Sequence, residues 1–150
     1  MFIRQAELLE GVSANAKRII ETQGIERSYK AGDIVFQEGD EGAYFYMLED
    51  GKVDLFVGKQ QEVRFLVYYP GEIFGWSALV KPHRYLASAR CATESTITRV
   101  PRTAVDIVSK DYPTDGQLIY KHLAGILAER LIEAYRENLP QSGRQAPSYG

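Results

Sequence analysis

Apolar and polar positions divide the 150-residue chain into three zones. In the first zone, residues 1–24, Ala16, Ile19 and Ile20 recur at the spacing of one helix face. Ser13 stands just before them, where a capping side chain accepts a hydrogen bond from the first turn of a helix. These positions predict a helical segment before the first strand.

The second zone, residues 25–100, consists of short apolar runs separated by turn residues. An Asp-Gly pair at residues 50–51 lies between two such runs, 44–48 and 53–57, and predicts a β-hairpin. Tyr-Pro-Gly-Glu at residues 69–72 suits a type II turn, because proline fits its second position and glycine its third. Strands at such close and even spacing favour a sandwich or a jelly-roll barrel.

The third zone, residues 102–139, has helical apolar spacing. We expect a short helix over residues 102–110, followed by a long helix that ends just before Pro140. The polar residues 140–150 are expected to form a disordered tail. The fold class predicted for residues 1–139 is therefore mostly β with flanking helices: a jelly-roll barrel of the double-stranded β-helix type, followed by a long C-terminal helix.

The long helix carries two adjacent rows of apolar residues, although a helix that packs only on its own barrel needs one. The first row comprises Ile119, Leu123 and Ile126. The additional row predicts contact with the same helix of another subunit, in a homodimer. The expected interface residues are Tyr120, Leu123, Leu127, Leu131 and Ala134. The alternative is a wide apolar face that lies wholly on the barrel.

Composition and charge narrow the range of partners. The chain is 45% hydrophobic and 25% charged, as in ordinary globular proteins, and its formal net charge is −2. This charge gives no overall attraction to nucleic acid or to an anionic membrane. The single cysteine, Cys91, excludes an internal disulfide and suits a reducing compartment. Because no apolar run is long enough for a signal peptide or a membrane span, we expect a cytoplasmic protein.

Several motifs, in their order and spacing, resemble those of the cyclic-nucleotide-binding domain family. Residues 30–40, Lys-Ala-Gly-Asp-Ile-Val-Phe-Gln-Glu-Gly-Asp, are similar to its opening strand pair, and residues 46–53 are similar to its next hairpin. The resemblance covers residues 8–139. It implies a regulatory sensor domain, like the sensor halves of catabolite-activator-type regulators. Such a domain binds a small, nucleotide-like ligand in the barrel and signals through its C-terminal helix.

The family's ligand-binding segment corresponds to residues 74–87 of this chain. In the family, a glutamate accepts a hydrogen bond from the ribose 2′-hydroxyl and an arginine pairs with the cyclic phosphate. Trp76 and Tyr85 occupy those two positions here, and Arg84 lies one residue early. Losing both anchors, each worth on the order of 2–3 kcal/mol, weakens binding about 10³-fold or more. Ordinary cyclic AMP or cyclic GMP binding is therefore not expected.

The resemblance nevertheless implies a ligand site in this segment. Its expected residues are Phe74, Gly75, Trp76, Ser77, Ala78, Leu79, Arg84 and Tyr85. In one interpretation, Trp76 and Tyr85 line a reshaped pocket for a flat or apolar ligand, with anion donors at a helix start near Ser77. In the other, the two aromatic side chains fill the pocket and leave a ligand-free scaffold or a dimerisation module. The sequence leaves both open.

Other function classes are disfavoured by the residues present. Haem sensing would draw on His83, His122 and Cys91, and no spacing pairs these on one element. Two histidines are too few for a cupin-type metal site, and no nucleophile or phosphate-loop motif occurs, so we expect no enzyme activity, metal or cofactor. Too few residues follow the long helix for the family's helix-turn-helix. We therefore expect no direct DNA binding and an output through a protein partner.

Overall fold

The short apolar runs of the second zone form eight strands in the computed structural model, which describes residues 7–59 and 62–137. The strands are β1 (Ile25–Tyr29), β2 (Ile34–Phe36), β3 (Tyr44–Asp50), β4 (Val53–Val57), β5 (Glu62–Val67), β6 (Ile73–Phe74), β7 (Ser88–Cys91) and β8 (Ser95–Pro101). They form two four-stranded antiparallel sheets, with the orders β1-β8-β3-β6 and β2-β7-β4-β5. The predicted jelly roll is confirmed.

Helices precede and follow the strands along the chain. They are α1 (Ala14–Gln23), α2 (Arg102–Asp111) and α3 (Pro113–Glu137), with short 3₁₀ helices at Glu7–Leu9 and Trp76–Leu79. The short C-terminal helix therefore lies close to its predicted position, the long helix begins directly after it, and the expected end of the long helix before Pro140 lies outside the described residues. The tail expected at residues 140–150, and the helical structure expected at residues 1–6, lie outside the described residues.

Ser13 caps α1, as the sequence predicts. Its hydroxyl oxygen accepts a hydrogen bond from the Ala16 N–H at 3.3 Å. The same hydroxyl donates to the carboxylate of Asp115, in the first turn of α3, at 2.6 Å. Because the Ser13 N–H also donates to Asp115, the start of α1 is tied to the start of α3.

The Asp-Gly turn at residues 50–51 corrects one expectation, because it does not join a hairpin. β3 pairs with β6 and β8 in one sheet, whereas β4 pairs with β5 and β7 in the other, so the turn carries the chain between sheets. Gly51 has φ +109°, and a Cβ there would meet Ser95 Oγ and lie 2.7 Å from the Glu94 carbonyl oxygen. Glycine is required here by a close approach at the corner of the barrel.

The type II turn expected at residues 69–72 is present. The Glu72 N–H donates to the Tyr69 carbonyl at 3.0 Å, and Gly71 has φ +90°, as the third position of this turn requires. The turn brings the chain from β5 back to β6, and thus to the start of the segment that the family resemblance singles out.

Two clusters of buried side chains make up the core. One lies between the barrel and the helices and includes Leu8, Ile20 and Val105; the other fills the barrel and includes Leu48 and Val67. Every one of these five side chains is 0% or 1% exposed. The helices are therefore built into the domain's own core. Among the described residues, no helix is long and apolar enough to cross a membrane.

The two apolar rows of α3 have different environments. Ile119, Leu123 and Ile126 are buried in the cluster between the barrel and the helices. Leu123, expected at a dimer interface, is 3% exposed and belongs to this protomer's own core, so the expected interface has to be redrawn without it. In the second row, Tyr120 and Leu127 pack partly against the same cluster, and Ala134 is half-buried.

The exposed apolar surface of α3 lies near its C-terminal end. Leu131 is 48% exposed and its neighbour Ile132, which the sequence analysis did not include, is 50% exposed. The apolar surface open to a partner is thus shorter than the sequence predicts, because the N-terminal part of the second row rests on the barrel side.

Candidate functional site

A cavity of about 220 Å³ opens beside the segment expected to bind a ligand. Its wall combines side chains from β2, β4 and β5 with two stretches of that segment and one residue of α3. The lining residues are Phe36, Leu55, Val57, Phe65, Gly75, Trp76, Ser77, Leu86, Ala87 and Arg130. The wall is therefore mainly apolar, with Ser77 and Arg130 as its polar side chains among the described residues.

Gly75 sets the geometry at the start of this segment. Its φ is +71°, and a Cβ would lie 2.9 Å from the Tyr46 ring and 3.1 Å from the Phe36 ring. Phe74 before it is fully buried in the barrel. The chain then enters the 3₁₀ helix Trp76–Leu79, whose buried Ala78 and Leu79 anchor it to the two core clusters.

Trp76 and Ser77 face the cavity from this short helix. Trp76 is half-buried, packs partly against the cluster between barrel and helices, and lines the cavity. Ser77 is 8% exposed. The Ala78 N–H already donates to the Gly75 carbonyl at 3.2 Å. This single-turn helix is a weaker source of anion donors than the sequence analysis expected.

Tyr85 lies inside the barrel. It is 4% exposed, its ring stacks on Phe36 with centroids 4.0 Å apart, and its hydroxyl donates to the Tyr44 carbonyl at 2.7 Å. Phe36 also stacks with Tyr46 and Phe74, at 5.4 and 6.1 Å. Burial raises the pKa of Tyr85, which keeps the hydroxyl protonated as a donor. The position where the family has its phosphate-binding arginine therefore belongs to an aromatic cluster.

Arg84 points away from the cavity. Its side chain is exposed, and its guanidinium donates to the Gly39 carbonyl at 2.9 Å. Arg84 and Tyr85 are both absent from the described residues that line the cavity, so neither contributes to its wall as the sequence analysis expected. The physical reason is that the backbone at Arg84 pairs with Glu41, after β2, which holds the guanidinium beside Gly39.

Arg130 of α3 is a site residue that the sequence analysis missed. Its guanidinium donates to the Ile73 carbonyl at 2.6 Å and lies 3.8 Å from the Glu72 carboxylate. Burial lowers the pKa of Arg130 and raises that of Glu72, and in each case the opposite charge of the partner counteracts the shift. A signal was present, because Arg130 follows Ile126 by four residues and so continues the buried row of the helix.

The strand residues of the wall were also missed, because the sequence analysis placed the site in residues 74–87 alone. Leu55 and Val57 stand two apart on β4 and share one face, and Phe65 lies on β5, which pairs with β4. This alternation predicts a buried face. It does not predict that part of the face borders a cavity, since that depends on what packs opposite.

The three side chains considered as haem ligands have other contacts. His83 Nδ1 is 2.9 Å from the Ala78 carbonyl, and His122 Nε2 is 2.8 Å from the Glu10 carbonyl. Cys91 is buried inside the barrel, and burial raises the pKa of its thiol. Within residues 7–59 and 62–137, no group of three or more His, Cys, Asp or Glu side chains is arranged to hold a metal ion.

Comparison with known proteins shows which family has this sequence pattern and architecture. A family model described as "Cyclic nucleotide-binding domain" matches residues 26–112. A cAMP-dependent protein kinase regulatory subunit from Debaryomyces hansenii is 36% identical over 87 residues, 57% of this chain and 18% of that protein. A cyclic AMP receptor protein from Thermus thermophilus is 32% identical over 111 residues, 72% of this chain and 49% of that protein. The chain thus spans less than half of either relative.

A solved structure shares the fold. It is a cyclic nucleotide-binding domain from Methylobacillus flagellatus, which superposes with a TM-score of 0.78 at 18% identity and covers 93% of this chain and 83% of its own. At that identity the likeness concerns the fold alone. It agrees with the two sheets and the long C-terminal helix described above.

Proposed function

This chain belongs to the cyclic-nucleotide-binding domain family, and we propose that it is a non-enzymatic regulatory sensor domain that binds a small molecule beside Trp76 and signals through α3. The observation that carries the proposal is the cavity itself. It opens at the family's binding segment, and its wall includes a residue of the C-terminal helix, Arg130. A molecule bound in the cavity would therefore contact α3 directly, through Arg130.

Arg130 supplies the physical link between site and helix. Its hydrogen bond to Ile73 joins α3 to β6, the strand that leads into the binding segment, and its proximity to Glu72 joins α3 to the preceding turn. A ligand that moves or orders this guanidinium changes how α3 rests on the barrel. The output then passes from α3 to a second subunit or to a protein partner, since a ligand shifts a conformational equilibrium only through contacts that differ between the two states.

The first prediction tests binding and signalling together. Trp76, the chain's single tryptophan, lines the cavity, so its fluorescence should report a bound molecule from a nucleotide and metabolite library. Any molecule that changes Trp76 emission should also slow amide hydrogen exchange in residues 126–137 by about fivefold or more, the lower end of typical coupling between sites. In Arg130→Ala, at concentrations of the molecule high enough to restore the change in Trp76 emission, exchange in α3 should stay unaltered.

The matched control is Arg136→Ala, which removes an exposed arginine near the end of the same helix. It should behave like the wild type in both measurements. Native mass spectrometry of the purified protein adds an independent arm, because it detects any small molecule that the protein retains. A Trp76 emission that no library member alters, together with no retained molecule, would contradict the sensor proposal.

A ligand-free scaffold is the second candidate, and one observation favours it. Tyr85 fills the barrel interior, with its ring stacked on Phe36 and its hydroxyl bonded, at the position where the family has its arginine. Under this proposal the cavity beside Trp76 binds no ligand. No library member would then change the rate of amide hydrogen exchange in α3.

We also propose a homodimer through the exposed C-terminal part of α3. Leu131 and Ile132 are adjacent large apolar side chains that are about half exposed, and they extend the partly covered row that includes Leu127. Contact with the same surface of a second copy would remove them from water.

The second prediction concerns this dimer. Leu131→Glu should raise the dimer dissociation constant about 10- to 100-fold, because it removes a buried leucine and places a charge in the interface. Sedimentation equilibrium at tens of micromolar protein measures the change. Ile25→Glu, at a position that is 47% exposed on β1, is the matched control and should leave the association unchanged. A wild-type protein that is monomeric at tens of micromolar would rule out the dimer.

A further inference from the structure

The wall of the cavity beside Trp76 offers mainly apolar contact. Six of its side chains are aromatic or aliphatic: Phe36, Leu55, Val57, Phe65, Trp76 and Leu86. They come from three strands, from the 3₁₀ helix and from the chain before β7. A molecule between them exchanges water for carbon on several sides at once, which favours an apolar ligand in proportion to the area that it buries.

The same cavity gives poor support to a negative charge. Arg130 is its cationic side chain among the described residues, and that guanidinium already contacts the Ile73 carbonyl and the Glu72 carboxylate. An anion entering here would have to share Arg130 with Glu72 and give up its own hydration. Arg84 is directed to Gly39, outside the cavity. Anionic ligands are therefore disfavoured relative to neutral ones of the same shape.

The volume of the cavity limits the size of its ligand. An apolar cavity of roughly 150 Å³ holds a benzene molecule, and pockets for drug-sized ligands run from about 300 Å³ upward. The cavity here measures about 220 Å³. It therefore has room for one or two fused rings.

We infer that the cavity beside Trp76 binds an uncharged, flat aromatic molecule of one or two rings, held between apolar side chains with Trp76 as one wall. This inference rests on the sensor function proposed above and names the ligand class of the same site. The shape of the wall supports it, since aromatic side chains pack well against planar rings. Ser77 lies at the wall, where its hydroxyl can orient one polar substituent.

The third prediction tests the ligand class with a neutral probe and an anionic one of similar shape, 2-naphthol and 2-naphthoate. Isothermal titration calorimetry of the full chain should give 2-naphthol a dissociation constant on the order of tens of micromolar. It should bind about tenfold or more tightly than 2-naphthoate, because the carboxylate loses hydration without a partner of its own.

Two variants locate the binding. Val57→Phe adds a ring to the cavity wall and should weaken 2-naphthol by about tenfold or more, since the added volume occupies the ligand's space. Leu86→Ser, at a position that is 65% exposed and so tolerant of a polar side chain, should weaken it by about threefold to tenfold. Ile34→Phe adds the same ring at an exposed position of β2 outside the cavity and should change nothing.

Each outcome decides. If 2-naphthol binds more tightly than 2-naphthoate and Val57→Phe or Leu86→Ser weakens it, the ligand class is supported. If 2-naphthoate binds equally well or better, if neither variant weakens 2-naphthol, or if neither probe binds the wild type, the inference is wrong. That failure leaves the sensor proposal standing, because the sensor proposal fails only when no library member alters Trp76 emission and no molecule is retained.

Discussion

Cyclic AMP and cyclic GMP are expected to produce no saturable heat when titrated into this protein at tens of micromolar. The two anchoring positions of the binding segment hold Trp76 and Tyr85, and the structure turns Arg84 outward to Gly39. A charged ribose contact and an arginine–phosphate pair are each worth on the order of 2–3 kcal/mol, so binding should be about 10³-fold or more weaker than at a site with both.

The measurement needs proof that the titrated sample is folded. A cooperative urea unfolding transition on the same sample supplies it, and 2-naphthol serves as a chemically different titrant. A dissociation constant in the micromolar range or below for either cyclic nucleotide would contradict the prediction. It would mean that backbone donors of the 3₁₀ helix Trp76–Leu79 carry more of the binding than the side chains that this chain lacks.

Tyr85→Ala is expected to lower the free energy of unfolding by about 3–5 kcal/mol, the usual cost of deleting a large buried aromatic side chain. The ring is stacked 4.0 Å from Phe36, and its hydroxyl satisfies the Tyr44 carbonyl. Removing both leaves a cavity among aromatic rings and an unpaired carbonyl oxygen. Urea unfolding at constant m-value measures the change.

Two further variants separate the parts of this effect. Tyr85→Phe keeps the ring and loses the hydroxyl, so it should cost about 1 kcal/mol, the net value of one hydrogen bond. Tyr69→Ala, at a tyrosine that is 60% exposed, should change stability by about 0.5 kcal/mol or less. If Tyr85→Ala costs no more than Tyr69→Ala, the buried position of Tyr85 is incorrect.

The buried position of Tyr85 also affects whether a phosphate-binding arginine could be restored there by mutation. Tyr85→Arg would place a guanidinium among the rings of Phe36, Tyr46 and Phe74, where it loses much of its hydration. The loss of the family's arginine is therefore built into the packing of the barrel. A single substitution at this site would destabilise the domain before it could restore a ligand contact.

Local features could be predicted from the sequence because local geometry produces them. Ser13 before an apolar helical face predicts the cap of α1, and the Pro-Gly pair at residues 70–71 predicts the turn before β6. The occupancy of residues 76 and 85 by aromatic side chains needed no structure to be noticed. Each of these conclusions depends on residues a few positions apart, whose conformations constrain one another directly.

Tertiary structure alone decided which elements meet. The Asp-Gly pair at residues 50–51 predicts a turn. The structure nevertheless places β3 in one sheet, paired with β6 and β8, and β4 in the other, paired with β5 and β7. The inward side chain of Leu123 and the wall position of Arg130 likewise depend on how α3 lies across the barrel. Such contacts join residues far apart in the chain, and their choice is a balance of long-range pairing and burial over the whole domain. Because this balance cannot be read from neighbouring residues in the sequence, the cavity could be identified only in the folded structure.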